Sequence, residues 1–143
     1  MHPNLTFNKL TTVEQMLPYW QLITQLTATL TQENYEQYLT EMVPHNYYQV
    51  VAYHGETCAG ISGYWMATKL YSGKYLEIDN FVVEGNYRNA GIGKQMIDWL
   101  ETEARTNDCK VMMLDAYVEN FKAHRFYYRE GFIARGYHYL KFL

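Results

Sequence analysis

Only two cysteines, Cys58 and Cys109, occur in 143 residues, and they lie far apart without metal-ligand spacing. That excludes a disulfide framework and gives no reason to expect a bound metal; both read as buried free thiols of a reducing compartment. Long apolar runs are missing as well. No stretch approaches the roughly 18 residues of a membrane-spanning helix, and the opening residues, Met-His-Pro-Asn-Leu-Thr, lack the basic and apolar regions of a secretory leader. A cytoplasmic protein is expected. Positive charge is scarce too: 12 Lys and Arg against 15 Asp and Glu leave a net charge of -3. This argues against nucleic acid or an anionic membrane as partner, since both attract a face rich in Lys and Arg. An anion site here has to be local. There is no internal repeat, low-complexity tract or linker, and a chain that is 48% hydrophobic at this length makes one domain, residues 1–143, with a core of its own.

Aromatic rings, in contrast, are abundant: 15 Tyr, 3 Trp and 6 Phe make up 17% of the chain. Tyr joins an apolar ring to a polar tip, so these rings suit both a core and a partly wet cleft. A short strand is expected at residues 5–7 and a helix at 11–30, opened by the Thr11-x-x-Glu14 capping-box spacing. Its buried face would hold Met16, Leu17, Trp20, Ile23, Leu26 and Leu30, and Pro18 fits it only in the first turn. A second helix over 35–42, ended by Val43-Pro44, precedes a hairpin of residues 49–53 and 57–66. Gly60 and Gly63 in its second arm point to a bulge or a close backbone neighbour. A central strand, 75–83, runs through a Gly turn into a helix that buries Ile92, Met96, Leu100 and Ala104. Then come a buried strand at 110–118, a helix from about Asn120 to a left-handed cap at Gly131, and two last strands near 132–135 and 137–142. The unit strand, Gly turn, helix, strand is a right-handed crossover between parallel strands, so the fold is mixed α/β.

The turn itself reads Arg88-Asn89-Ala90-Gly91-Ile92-Gly93-Lys94. Two glycines straddling one residue let the backbone approach a ligand closely, and the first-turn N–H groups of a helix have no intrahelical partner. With charge from Arg88 and Lys94 this is an anion cradle suited to phosphate or pyrophosphate. A Walker loop would need Gly at Arg88 and Ser or Thr at Gln95, and the dinucleotide fingerprint would need a small residue at Met96, so neither fits. Arg88-x-x-Gly91-x-Gly93, after a strand and before a helix, resembles the coenzyme A loop of the GNAT superfamily of acetyl-CoA-dependent N-acetyltransferases. A second stretch, Asn120-x-x-Ala123-x-x-Phe126-Tyr127-x-x-x-Gly131-Phe132, is similar to that family's later motif, and the two occur in the family's order. The resemblance covers about residues 50–132; the first 45 residues carry no readable signal.

The resemblance implies a single-domain α/β GNAT-like fold, a mixed central β-sheet flanked by helices, with parallel strands splayed at the CoA site. It implies Phe81, Val82 and Val83 beside the pantetheine arm of acetyl-CoA, the diphosphate on N–H groups from Arg88 through Asn89, Ala90, Gly91, Ile92 and Gly93 to Lys94, and Asn120 toward the pantetheine. For Asn120 a plain helix N-cap is an equal reading, compatible with the first. Residues 123–131 also look like those of bacterial aminoalkylphosphonate N-acetyltransferases, but a shared cofactor helix says little about the acceptor.

Acetyl transfer to an amine needs a neutral nucleophile, a polarised thioester carbonyl and a protonated leaving thiol. A lysine-like amine is neutral in about one molecule in 2,500 at pH 7, a cost of roughly 4.6 kcal/mol without help. Glu77 and Asp79 fall on one side of the central strand by two-residue alternation, just before the cradle. Glu77 is the first choice of base, acting directly or through water, and Asp79 the second; a salt-bridged or solvated acid is the plain alternative for each. A bulge in this strand would change which of them faces the slot. A backbone N–H near Val82 or Val83 would polarise the carbonyl. Tyr127 matches the family's general acid, with packing or thiol orientation as its alternative, and Tyr128 is rotated about 100° away. Tyr19, Trp20, Tyr35, Tyr38, Tyr47, Tyr48, Tyr64 and Trp65 could wall a site for a small ammonium, though each ring alone reads as core. The expected function is acetyl transfer to a primary amine of a small molecule in a ternary complex. A peptide or protein acceptor, or a catalytically silent acyl-CoA sensor, is the alternative. The apolar, aromatic end 137–143 reads as a homodimer contact or an ordinary sheet strand.

Overall fold

A computed structural model describes residues 2–143. The chain divides after Met113 into two compact units. The first is built on a sheet of five strands in the order β1 (Thr6–Leu10), β2 (Tyr47–His54), β3 (Thr57–Lys69), β4 (Gly73–Val83) and β5 (Val111–Leu114). Neighbours from β1 to β4 are antiparallel, and β5 lies parallel beside β4. The Lys110 N–H donates to the Lys74 carbonyl at 2.7 Å, which ties β4 and β5 at their beginnings and leaves their far ends to splay. The expected mixed α/β architecture is therefore present.

Alternation along the strands sends neighbouring residues to opposite faces. On one face Val51, Ile61 and Val82 pack with Met16, Ile23, Tyr35 and Leu39 of the N-terminal helices. On the other, Ala52, Phe81 and Val83 pack against Ile92 and Met96 of α4 (Ile92–Thr106), which also buries Leu100 and Ala104 as its periodicity predicts. Burial tends to raise the Glu103 carboxyl of α4. Hydrogen bonds from Lys9 (2.7 Å) and Tyr64 outweigh that and hold it below the usual range. The three side chains fasten β1, β3 and α4 together.

The single helix expected over 11–30 is instead broken into α1 (Val13–Met16), a 3-10 turn at Leu17–Tyr19 and α2 (Trp20–Ile23). Pro18 opens the 3-10 turn, because a proline cannot donate the bond that would continue the first helix. Leu26, expected to be buried, is 50% exposed. The capping box lies one residue later than its spacing suggested. The Gln15 N–H donates to Thr12 Oγ1, and the Thr12 N–H donates to the Gln15 side chain, both at 3.2 Å. The second helix starts earlier than the expected residue 35, with Thr31 capping α3 (Gln32–Met42). Gly60 and Gly63 do have close neighbours: a Cβ on Gly60 would press on Met96 and the Val82 carbonyl, and one on Gly63 would overlap the Tyr47 ring.

The second unit, taken by itself, holds α5 (Phe121–Arg129) and the segment after it. Asn120 caps α5, accepting from the Ala123 N–H at 3.2 Å, and Gly131 ends it at φ +95, as predicted. The sheet expectations fail here. β5 stops at Leu114 rather than 118 and is only half-buried, and no strand forms near 132–135 or 137–142. Extended backbone counts as a strand only where a neighbouring ladder satisfies its N–H and C=O groups. Tyr137, Tyr139, Leu140 and Phe142 are correspondingly exposed.

Candidate active site

The strand that should carry the chemistry contains a defect. Gly63 pairs with Asp79 and Ile61 with Val82, so the single residue Ser62 faces both Asn80 and Phe81. This two-against-one arrangement is a β-bulge. An extra residue reverses the alternation beyond it. Glu77 and Asp79 share the face of their cross-strand neighbour Trp65, whereas past the bulge Phe81 and Val83 turn to the α4 side and Val82 takes over the first face. Of the three expected pantetheine-side residues, then, Val82 and its two neighbours lie on opposite faces of β4.

Side chains from two other strands hold the bulge. Asn80 sits at φ +55, a left-handed conformation that asparagine tolerates better than most residues. Tyr47 Oη donates to Asn80 Oδ1 at 3.1 Å. Gln49, fully buried, donates to both Tyr47 Oη (3.2 Å) and Tyr35 Oη (3.1 Å), and Tyr35 in turn donates to the Met16 carbonyl at 3.0 Å. Burial raises the Tyr35 and Tyr47 phenols, although the Gln49 bond partly opposes it, so both stay neutral donors. The Trp65 indole N–H donates to Asp79 Oδ2 at 3.1 Å, which engages Asp79 as a hydrogen-bond acceptor. Glu77 stands directly across from Trp65 and is half-buried.

From Val83 the chain passes through a 3-10 turn at Gly85–Tyr87, capped by Glu84, whose side chain accepts from the Asn86 N–H at 2.8 Å. Tyr87 is fixed by His54 at 3.2 Å. Asn89 (φ +65) and Gly91 (φ +79) are left-handed, and Gly91 is the N-cap of α4. Backbone alternating in this way around a helix start gathers N–H groups into a concave anion site. Arg88 and Lys94 are exposed at its two ends, and Lys94 pairs with Asp98 at 3.1 Å, a surface pair weak enough to rearrange. Gly91 and Ile92 start the helix without a side-chain cap on the N-cap residue, so these residues fit a diphosphate. A shallow depression between Phe7 of β1 and Gln95, Asp98, Trp99 and Thr102 of α4 contains none of the expected site residues.

Within the C-terminal unit, Asn120 and Tyr127 lie at the start and in the last turn of α5. Tyr127 packs edge-on against Phe126 and Phe132, with ring centroids at 5.3 and 5.7 Å. Burial pushes its phenol up to about 12. Tyr128 is 56% exposed.

The aromatic residues singled out from sequence do not form one wall. Tyr47 and Trp65 lie ring to ring at 5.0 Å, whereas their strand neighbours Tyr48 and Tyr64 pair on the opposite face, beside Lys9 and Trp99. Tyr19 bonds Tyr53 at 2.7 Å. Sequence reasoning missed Asn80, Tyr47 and Gln49 as supports of the site. The available signal was Asp79-Asn80, two residues disfavoured in strands, in the middle of an otherwise regular one.

Solved structures share this fold. An aminoglycoside N-acetyltransferase in complex with CoA superimposes with a TM-score of 0.82 at 17% identity, over 99% of this chain and 97% of that one. Glucosamine-6-phosphate N-acetyltransferase from Arabidopsis thaliana gives 0.73 at 21% identity, over 97% and 98%. The fold is thus the mixed α/β fold of these structures. The sequence profile of the Acetyltransferase (GNAT) family matches residues 14–132, and the chain belongs to that family, whose acyl donor is acetyl-CoA. An aminoalkylphosphonate N-acetyltransferase of Salmonella typhimurium is 33% identical over 90 residues, 62% of this chain and 58% of the relative's length. An uncharacterised N-acetyltransferase of Bacillus subtilis is 26% identical over 120 residues, 83% of this chain and 84% of its own.

Proposed function

We propose that this chain moves the acetyl group of acetyl-CoA directly to a primary amine of a small molecule, with donor and acceptor bound together. The observation that carries the reading is the bulged strand β4 leading within a few residues into a left-handed Gly91 at the start of α4. This arrangement pairs a kinked reaction strand with a diphosphate cradle. A named relative that acts on aminoalkylphosphonate supports a small amine over a peptide. The family match runs on both sides of Met113, which supports one catalytic domain.

Acetyl-CoA supplies an activated acyl group and a thiol leaving group; the chain's residues do the rest. Backbone N–H groups of Asn89 and of Gly91 to Lys94 hold the diphosphate, while those of Arg88 and Ala90 donate to the Gly85 and Tyr87 carbonyls and shape the loop. Main-chain groups at Phe81, Val82 and Val83 align the pantetheine, and an N–H at Val82 or Val83 polarises the carbonyl. Glu77 takes the proton of the incoming ammonium, directly or through water. Asp79, as acceptor of the Trp65 indole, orients that strand face. Asn120 keeps its carboxamide N–H2 for the pantetheine while its oxygen caps α5. Tyr127 stays protonated and donates toward the departing sulfur. With a phenol near 12 and a thiol near ~8.5, full proton transfer from Tyr127 is uphill, so its part is a hydrogen bond to the thiolate.

The two free cysteines fit a cytoplasmic setting, and the exposed aromatic tail fits a homodimer, which sedimentation at two concentrations would detect. The function itself is tested by following thiol release from acetyl-CoA with a panel of small amines, peptides and lysine-bearing proteins. Release with small amines is expected; release with peptides alone would replace the acceptor class. Tight CoA binding without any release would make the chain a sensor.

A further inference from the structure

The N-terminal segment lies on the coenzyme loop. His2 Nδ1 is 2.9 Å from the Ala90 carbonyl oxygen, and Gln95 Nε2 donates to the Pro3 carbonyl at 3.0 Å, so residues 2 and 3 are fastened to both sides of the start of α4. A carbonyl only accepts, so Nδ1 carries the hydrogen in this pair, whatever the charge of the ring. The imidazole also covers Gly91 closely enough that a Cβ there would overlap it.

The peptide between Ala90 and Gly91 matters for an anion. In a trans peptide the C=O of one residue and the N–H of the next point in opposite directions. Glycine accepts φ of either sign, so this peptide could turn over and present a carbonyl, instead of an N–H, to the diphosphate. The bond from His2 stabilises one of the two orientations. With the Ala90 oxygen turned to the imidazole, the Gly91 N–H faces away from it.

We infer that His2 is a positioning residue for the diphosphate cradle: by bonding the Ala90 carbonyl it holds the Gly91 N–H in the orientation that binds the anion. This rests on the coenzyme reading of the loop given above. The effect belongs to the donor's diphosphate and to no other part of the reaction.

The test compares the full chain with H2A and H2N, where the asparagine amide can replace the Nδ1 donor. CoA affinity is measured by titration calorimetry, and turnover with acetyl-CoA and with S-acetylpantetheine, which lacks the diphosphate. H2A should bind CoA about two- to tenfold more weakly, the range of one hydrogen bond. The change should fall on the KM for acetyl-CoA rather than on kcat, leave turnover of S-acetylpantetheine as in the parent, and be largely restored in H2N. Equal CoA affinity in H2A and parent, tighter binding in H2A, or equal losses with both donors would overturn the inference. A parent chain that binds no CoA would instead remove the coenzyme reading itself, and the inference with it.

Discussion

The bulge in β4 and the loop before α4 stand eight residues apart, from Asn80 to Asn89 by their intervening residues, yet they are held in different ways. The loop's backbone turns are set locally, with His2 on the Ala90 carbonyl and His54 on the Tyr87 hydroxyl as supports from elsewhere in the chain. They follow from left-handed Asn89 and Gly91 and from a helix start immediately after them. The bulge is set from a distance, by Tyr47 on β2, Trp65 on β3 and a buried relay through Gln49 and Tyr35 back to Met16. On the proposed reading, a cradle of main chain needs mainly glycine and one bond from His2, while a kinked strand inside a sheet needs partners to satisfy what the ladder loses. If so, damage at the two places should fall on different constants.

The largest expected effect is at the strand. E77Q should lower kcat by about 10²- to 10⁴-fold, the usual worth of a general base, with the CoA Kd nearly unchanged. D79N, at the carboxylate already bonded to Trp65, should lower kcat less. Steady-state kinetics with calorimetry on both variants reads this directly, and an equal or larger loss in D79N would exchange the two roles. At the loop, G91V places a β-branched residue at φ +79, where such residues are strained, and pushes it into His2. A loss of CoA affinity of about a hundredfold is expected, on the scale of a few kcal/mol of strain. Fluorescence or calorimetric titration of folded G91V checks it, with saturating kcat affected far less than Kd.

A smaller effect separates backbone from side chain at the bulge. N80G keeps the left-handed φ and loses the Tyr47 bond, whereas N80A loses both, so urea denaturation should find N80A less stable than N80G by about 1 kcal/mol. Equal stabilities or the reverse order would mean that the left-handed φ at position 80 is not what the residue is chosen for. The smallest is a pH effect. Burial raises the phenols of Tyr35, Tyr47, Tyr64 and Tyr127 above their ordinary value. The unfolded chain therefore sheds these protons first, at about pH 10, while the folded chain keeps them; for Tyr127 up to about 12. Their contribution to stability is complete below pH 10 and declines above it. Denaturation curves at pH 8, 9.5 and 11 should show the fall only in the last step.

The same contrast explains what could be read from sequence. The Gly91 turn, α4 and the cap at Gly131 were legible because each is written in adjacent residues: glycines at turns, a four-residue apolar period, a terminal Gly. The face of Phe81 was not legible, since it depends on one inserted residue whose supports lie over 30 positions away on β2, as Tyr47 does from Asn80. Thr11 and Thr12 offer the same cap chemistry, and only the fold chooses between them. The last two strands were misread for a related reason: Tyr137 to Phe142 have strand-like residues, but strand formation depends on a neighbour that local sequence does not specify. The aromatic wall failed because alternation sends Tyr47 and Tyr48 to opposite faces, which a list of rings conceals.

Isothermal titration of the folded chain with CoA probes the shared foundation of loop and strand most directly. The account predicts one saturable site per chain, with affinity that weakens as salt is added because a diphosphate is being held. An absence of binding heat from a natively folded sample, together with no protection of its thermal transition by CoA, would contradict it.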